Sequence, residues 1–264
     1  MGAPVAGGGA RTTARGRVGA LARAEVALFL RNRGTLFTAL FVPFVLPLTV
    51  RSGTENMDLD KAGLDLAEVL LPAAMGFSLL FAVYTALTTT FVARREELVL
   101  KRLRTGEASD AEVLAGASVP AAAVGFVQCL LVAVGCALLL GVEAPEAPHL
   151  ALLGVLLGLA LCAVLGALTA SFTRTVESAG VTVMPFLLVA MLGSGITVPL
   201  EVMPDRVAGV CELLPLSPAV QLIRAGWTGD LSGYETLGAT ATALAWIVVC
   251  CFAVRRWFRW EPRR

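Results

Sequence analysis

The chain has 264 residues, of which 57% are hydrophobic and only 16% are charged. A soluble domain of this size carries about a quarter charged residues, so this composition leaves too little polar surface to cover a water-soluble globule. The net charge of +1 favours no class of charged partner, and no nucleic-acid partner is expected.

The N-terminal arm is rich in glycine, alanine and arginine. Residues 1–16 are predicted to be a disordered tail. Residues 17–33 are predicted to form a helix on the membrane surface, because Val18 lies on an apolar arc opposite Arg17 and Arg23. Basic side chains opposite an apolar stripe suit the lipid headgroup layer.

Six apolar runs follow, and about 20 apolar residues are needed for a helix to cross a bilayer. The first run is short and contains Pro43 and Pro47. The sequence therefore predicts an all-α integral membrane protein in which residues 17–264 form one transmembrane domain. The predicted spans are Thr35–Val50, Val69–Ala93, Val113–Val142, Leu150–Phe172, Ala179–Leu200 and Leu237–Val254.

The distribution of basic residues predicts the orientation, because arginine and lysine collect in short cytoplasmic loops. With both termini inside, the inner segments hold 17 of the 21 basic residues and the outer segments hold four. The inner residues cluster before the first span, after the second span and in the C-terminal tail. The opposite orientation would reverse this ratio.

Small residues recur at every fourth position of the fourth run. Such residues let helix backbones approach closely within lipid, either inside one subunit or between two copies of the chain. The five positions are Gly154, Gly158, Cys162, Gly166 and Ala170. Five of the six cysteines likewise lie in apolar runs, where they are expected to be small packing residues, with a metal or redox site as the alternative.

The segment from residue 199 to residue 231 is apolar but is interrupted by four prolines, Pro199, Pro204, Pro215 and Pro218. Irregular backbone at membrane depth survives only where it is buried in protein or lines a cavity. The segment is therefore interpreted as one or two short helices that dip back into the outer leaflet. A plain outer loop is the alternative.

Several kinds of chemistry are missing from the sequence. There is no GxxxxGK[ST] run to cradle a nucleotide phosphate, and the single histidine, His149, has no catalytic partners. Ion-coupled transport usually needs ionisable groups near the bilayer centre, but the most central strongly polar side chain is Gln128. Gln128 is predicted either to make an interhelical hydrogen bond or to contact a substrate.

The loop between the second and third spans is the best candidate for an energy input from another protein. Its charges are dense, while Leu98, Leu100 and Leu103 supply an apolar side that suits a short docking helix. A solvated, positively charged loop without a partner is the alternative. Ser109 and Glu112 resemble a capping box at the start of the third span.

Four stretches carry a resemblance to a known family over about 230 residues. In chain order they are Glu25 with Leu30-Arg31-Asn32; Arg95-Glu96-Glu97 through Leu103-Arg104-Thr105 and Glu112 to Gly116; Gly195, Pro199, Glu201, Met203 and Pro204; and Leu214 to Pro218 with Arg224 and Gly226. They resemble the membrane subunit of type-2 ATP-binding-cassette (ABC) exporters of bacteria. Members often have a proline where Glu107 stands, so a different bend of the loop is expected here.

The resemblance implies a permease without an ATPase site of its own, in the bacterial plasma membrane. It implies two copies of a separate ATPase subunit, which hold ATP and Mg, and a second permease copy or a related one. The ATPase-coupling residues would be Arg94, Arg95, Glu96, Glu97, Leu100, Leu103 and Arg104. The outer gate would be formed by Pro199, Glu201, Pro204, Pro215, Pro218 and Arg224. Candidate substrate-path residues are Tyr84, Thr88 and Gln128.

The exported compound is expected to be small and amphipathic, such as a drug, an antibiotic or a lipid-like molecule, because the walls are apolar. A polymer is the alternative, since polymer exporters have similar walls. The sequence leaves two other functions open. One is an ATP-independent membrane carrier or channel, and the other is a membrane scaffold or maturation factor that transports nothing.

Overall fold

A computed structural model describes residues 66–104, 109–197, 200, 203–258 and 260–261, together with Gly16 and Gly19, which are helical. Apart from those two glycines, the predicted tail, the predicted surface helix and the first predicted span lie outside the described residues. The described residues contain helices and no β-strand. The helices are α1 Leu66–Ser78, a π-helical segment Leu79–Thr85, α2 Ala86–Glu96, α3 Val99–Arg104, α4 Asp110–Leu140, α5 Pro148–Phe172, α6 Val176–Thr182, α7 Met184–Gly193, α8 Asp205–Glu212, α9 Ser217–Thr228 and α10 Gly233–Trp257.

Five spans in the described part of the chain are long and apolar enough to cross a membrane. They are Val69–Glu96, Asp110–Leu138, Pro148–Phe172, Val176–Gly193 and Gly233–Trp257. All five overlap the predicted spans. Large apolar side chains stay exposed on α4, α7 and α10, for example Leu138, Leu192 and Phe252. Lipid is the solvent in which such faces are stable.

The first of these spans is continuous from α1 to α2 but widens into a π-helix at its middle. A π-helical turn is rare and is frequently found at functional sites. It turns Tyr84 into the interior, where the hydroxyl lies 3.1 Å from Thr169 Oγ1 on α5. The tyrosine ring also packs edge-on against Phe186 of α7, with centroids 4.8 Å apart.

The second of these spans, α4, begins at the predicted capping box. Ser109 accepts a hydrogen bond from the Glu112 N–H, and the Glu112 carboxylate accepts one from the Ser109 N–H at 2.8 Å. The helix ends at Gly141, whose φ of 69° is the left-handed conformation that glycine adopts without strain. The observed helix therefore starts three residues before the predicted span and stops two residues short of its end.

The small-residue stripe of α5 packs within the chain. A Cβ on Gly154 would lie 2.8 Å from the Ala219 carbonyl oxygen on α9, and one on Gly166 would lie 3.2 Å from the Tyr84 carbonyl oxygen. Cys162 and Ala170 have no exposed surface. Of the two predicted uses of the stripe, the structure shows packing inside one subunit.

The span Val176–Gly193 corrects the predicted span Ala179–Leu200 at both ends. It starts earlier, because Thr175 and Ser178 form a second capping box. It stops at Gly193, because Gly195 has a positive φ of 72° that turns the chain away. Pro185 stands at the start of α7, where its missing N–H breaks the span into two helices.

The segment after this span contains a bent pair of helices. Residues Arg206–Glu212 and Ser217–Thr228 meet at 98°, and the described part of the chain would contain a sixth span if this pair crossed the membrane as one. Helix α9 runs antiparallel to α5, because Ala219 faces Gly158 and Gly226 faces Ala151. Ala219 therefore lies about 15 Å inside the start of α5 at the usual rise per residue. The segment therefore packs inside the bundle and is not a plain loop, while its dip into the outer leaflet stays a prediction.

The bundle has two ends, here called the Arg95 end and the cleft end, the second named for a cleft bounded by α8, α9 and α10. At the Arg95 end, α2 and α5 end and α6 begins, and Arg95 of α2 contacts the last residues of α5. At the cleft end, α5 begins beside the last turns of α9, and α10 begins five residues after α9 stops.

Candidate functional site: the coupling junction and the cleft

Arg95, near the end of α2, is buried against the end of α5, with 1% of its surface exposed. Its guanidinium donates to the Ala170 carbonyl oxygen at 2.8 Å, to the Thr173 carbonyl oxygen and, at 3.4 Å, to the Arg174 carbonyl oxygen. The last carbonyls of a helix lack partners within the helix and carry partial negative charge, so a cation stabilises them. Arg95 is thus a side-chain cap for the C-terminus of α5.

Glu96, the next residue, is exposed and makes the complementary contact. Its carboxylate accepts a hydrogen bond from the Val176 N–H, the first residue of α6, at 3.3 Å. The first N–H groups of a helix carry partial positive charge and favour an anion. Consecutive residues of α2 therefore bind the end of one span and the start of the next.

The turn between α2 and α3 projects Leu98, which is 39% exposed. Leu98 has a positive φ of 60°, and among the described residues every other positive φ belongs to a glycine. A left-handed conformation is costly for a bulky residue, so the surrounding hydrogen bonds must hold it. The Leu98 N–H donates to the Arg95 carbonyl at 3.1 Å, and the Arg102 N–H donates to the Leu98 carbonyl at 3.1 Å.

The other predicted coupling residues divide between surface and interior. Glu97 is exposed, Arg94 and Leu103 are half-buried, and Leu100 has no exposed surface. Arg104 is the last residue of α3. The expectation that Leu100 belongs to an outward apolar side is wrong, because α3 turns it against the bundle, and the buried Arg95 side chain likewise offers a partner no surface.

The predicted substrate-path residues also face inward. Tyr84 and Thr88 have no exposed surface, and the Thr88 hydroxyl donates to the Tyr84 carbonyl oxygen at 2.8 Å. Gln128 on α4 is 4% exposed. These side chains pack between helices of one chain, so they do not line an open path at the surface. On the same span as Tyr84, the exposed positions are Phe81, Thr89 and the terminal Glu96.

A cleft of about 700 Å³ opens between α8, α9, α10 and the residues that follow α7, such as Ser194 and Gly195. Its walls are apolar, but polar and charged side chains line them as well. These are Ser194, Glu212, Gln221, Arg224, Thr228, Asp230, Glu235 and Thr242. The mixture of apolar wall and charged groups can accept an amphipathic molecule.

The predicted gate residues are only partly gathered around this cleft. Pro218 and Arg224 line it, Pro204 precedes α8, and Pro215 stands in the turn between α8 and α9. Pro199 and Glu201 lie outside the described residues. The prolines have a clear local role, since Pro218 sits in the first turn of α9, where no N–H is needed.

No group of three or more His, Cys, Asp or Glu side chains in the described part of the chain could hold a metal ion. The six cysteines are all free, and four of them are buried. These placements match the packing role expected for cysteines in apolar helices.

The residues that sequence reasoning missed are the partners of Arg95 and Glu96. They are the carbonyls of Ala170, Thr173 and Arg174 and the N–H of Val176. Every residue has such main-chain groups, so no side-chain pattern could have indicated them. The only available signal was the adjacent pair of opposite charges at the predicted end of a span.

The fold and the site define a class: a multi-pass, all-α integral membrane protein with a dipping segment at one end and a charged helix junction at the other. A family model described as ABC-2 type transporter matches residues 17–227. The chain belongs to this family, and it is the permease component of an ABC transporter, a kind of protein that pairs with an ABC ATPase. None of the curated proteins compared with the chain matches it.

Proposed function

We propose that the chain is the permease of an ATP-driven exporter in the bacterial plasma membrane, with both termini in the cytoplasm. Two ATPase subunits, which hold ATP and Mg, would bind at the Arg95 end of a pair of permeases. A small amphipathic compound would leave through the path between the permeases. The main support is the exposed Glu97–Leu98 turn, which projects from a junction where Arg95 and Glu96 bind the ends of α5 and α6.

The charges of the described residues support this orientation. Arg94, Arg95, Arg102, Arg174, Arg255 and Arg256 all lie at or near the Arg95 end, whereas Arg206 and Arg224 belong to the dipping segment at the other end. Basic residues are retained on the cytoplasmic side of a membrane protein. A soluble ATPase can reach only that side.

An exporter also needs an outward exit, and the cleft supports one. Its apolar wall would accept the greasy part of a substrate, and Arg224, Asp230 or Glu235 would meet a polar head. Phe81 and Thr89, exposed on the long first described span, are proposed to replace Tyr84 and Thr88 as path residues.

A docking experiment tests the proposal. The chain is co-expressed with a candidate ABC ATPase from the same genome, and the ATPase retained on washed membranes is measured. Leu98→Ala combined with Glu97→Arg should reduce retention about tenfold, because an apolar anchor and a charge of the turn are lost together. Leu237→Ala, at a 70%-exposed position of α10 near the cleft end, is the matched control.

Retention that is unchanged by the double substitution would contradict docking at this turn. Transport that persists without any P-loop ATPase would instead favour the ATP-independent carrier.

A further inference from the structure

Arg95 and Glu96 bind two different spans, although they are neighbours on one helix. The guanidinium holds the final carbonyls of α5, and the carboxylate holds the first N–H of α6. Only the short stretch Thr173–Thr175 joins these two helices. The junction of three helices is thus tied by one pair of side chains, here called the Arg95–Glu96 clamp.

The signs of the two charges match the two helix ends. A cation meets the negative end of α5, and an anion meets the positive end of α6. Charge-assisted hydrogen bonds are stronger than neutral ones, and the two short contacts of the four, to the Ala170 and Thr173 carbonyls, come from a planar, forked group that is almost wholly buried. The clamp therefore fixes orientation as well as distance.

The clamp is also connected to the exposed turn. The Glu97 N–H donates to the Ala93 carbonyl at 2.9 Å and the Leu98 N–H to the Arg95 carbonyl at 3.1 Å, so no free linker separates α2 from α3. Leu100 of α3 has no exposed surface. A push on the turn must therefore move α2, α3 and the ends of α5 and α6 together.

Helix α5 carries this connection to the cleft. It is one uninterrupted helix of 25 residues, and near its start the backbone of α9 lies against Gly154. Its antiparallel partner α9 supplies Gln221 and Arg224 to the cleft wall. A rigid α5 would transfer displacement at the clamp directly to that wall.

We propose that Arg95 and Glu96 are positioning residues that lock the junction of α2, α5 and α6 into one rigid unit, through which movement of the Glu97–Leu98 turn reaches the cleft. This inference rests on the proposed function, since the ATPase supplies the movement. It predicts that loss of the clamp uncouples the two ends without releasing the ATPase, because neither contact belongs to the exposed turn.

The test measures distances in the intact complex of permease and ATPase. Spin labels are placed at Arg102→Cys on α3 and Glu177→Cys on α6, both exposed, in a chain whose Cys211 and Cys251 are replaced by alanine. Distances are recorded without nucleotide and after trapping with ATP and vanadate. In the parent, the label-to-label distance should be the same in both states.

Arg95→Gln should make the distance distribution about twofold broader, because the charged fork that orients the helix ends is gone. Arg95→Lys should restore the charge but only part of the narrow distribution, since one ammonium cannot replace the fork. Arg174→Gln removes an exposed charge at the same junction and should match the parent. ATPase retention should stay within about twofold in all three variants, as expected for substitutions outside the docking surface.

Glu96→Lys covers the case in which Arg95→Gln does not fold. Glu96 is exposed, so its replacement keeps the interior intact while placing a cation at the positive end of α6. Parent-like distributions for both Glu96→Lys and Arg95→Lys would overturn the inference. If the parent binds no ATPase, the proposed function fails, whereas a broader distribution of the variants in lipid nanodiscs without the ATPase would still support the clamp.

Discussion

The two ends of the bundle are held together in different ways. At the Arg95 end, a buried guanidinium and an exposed carboxylate bind the ends of two helices. At the cleft end, glycines let α5 and α9 touch backbone to backbone and α10 packs on both through Ala239 and Ala243, while α8 forms one wall of a cleft of about 700 Å³. Directional charge-assisted bonds fix orientation, whereas close packing next to open volume leaves a neighbour free to move. Under the proposed function, the first end would transmit movement and the second would open.

The largest expected effect concerns the side of the membrane on which each end lies. Ala144→Cys near the start of α5 and Arg174→Cys after its end are both at exposed positions. In intact cells carrying alanine at Cys211 and Cys251, an impermeant maleimide should label residue 144 and leave residue 174 unlabelled until the cells are opened. The physical reason is the retention of the basic end in the cytoplasm.

Labelling of both positions in intact, sealed cells would break the comparison, because the two ends would then share one side. Labelling of residue 174 alone would invert the orientation.

A smaller effect is expected from the close backbone contact at the cleft end. Gly154→Ala would place a Cβ 2.8 Å from both the Ala219 carbonyl oxygen and the Ile223 N. Neither atom can move without shifting α9, so a loss of about 1–3 kcal/mol of stability is expected. The check is the thermal midpoint of the detergent-solubilised protein, which should fall.

Gly238→Ala is the matched control, because nothing lies within 4 Å of that position on α10. This substitution should leave the midpoint unchanged or raise it, since alanine favours a helix over glycine by about 1 kcal/mol. Equal losses at the two positions would show that α5 and α9 are not in close contact.

The smallest effect is expected from the serine capping boxes, one of which lies at each end of the bundle. Ser109 caps α4 at the start that follows α3, and Ser232 caps α10 near the cleft. Replacing either with alanine removes an acceptor for an N–H of the first turn and should cost about 1 kcal/mol. The midpoints of the two variants should therefore fall by similar amounts.

Aspartate at either position keeps the acceptor and should restore the midpoint of the parent. A loss at residue 109 that greatly exceeds the loss at residue 232 would indicate that the cap at the Arg95 end also supports the clamp.

Much of the fold could be predicted because its causes are local. The long apolar runs predicted the membrane spans, and the serine and glutamate three residues apart predicted the start of α4. The prolines between residues 199 and 218 predicted a broken, dipping segment. The end of α7 at Gly193 was missed, since its apolar run continues to Leu200 and the turn depends on a positive φ at Gly195.

The sequence predicted where the candidate site lies but not which of its side chains are exposed or what they contact. The sequence indicated the charged loop, but the prediction that Arg95 and Leu100 contact a partner is not met, because both side chains are buried in this structure. The spacing of apolar residues in a six-residue helix does not indicate which of its sides packs against the rest of the chain. The π-helical turn that turns Tyr84 inward was also missed, because it has no signature in side-chain hydropathy.

The sequence by itself determined that this chain is a membrane protein, because apolar stretches this long are stable only in lipid. The basic residues between them predict which side of the membrane each loop occupies. The tertiary structure alone decided what Arg95 and Glu96 do. Their partners are main-chain groups about 75 to 80 residues away, and such groups become distinct binding sites only when folding leaves the ends of α5 and α6 without partners at that place.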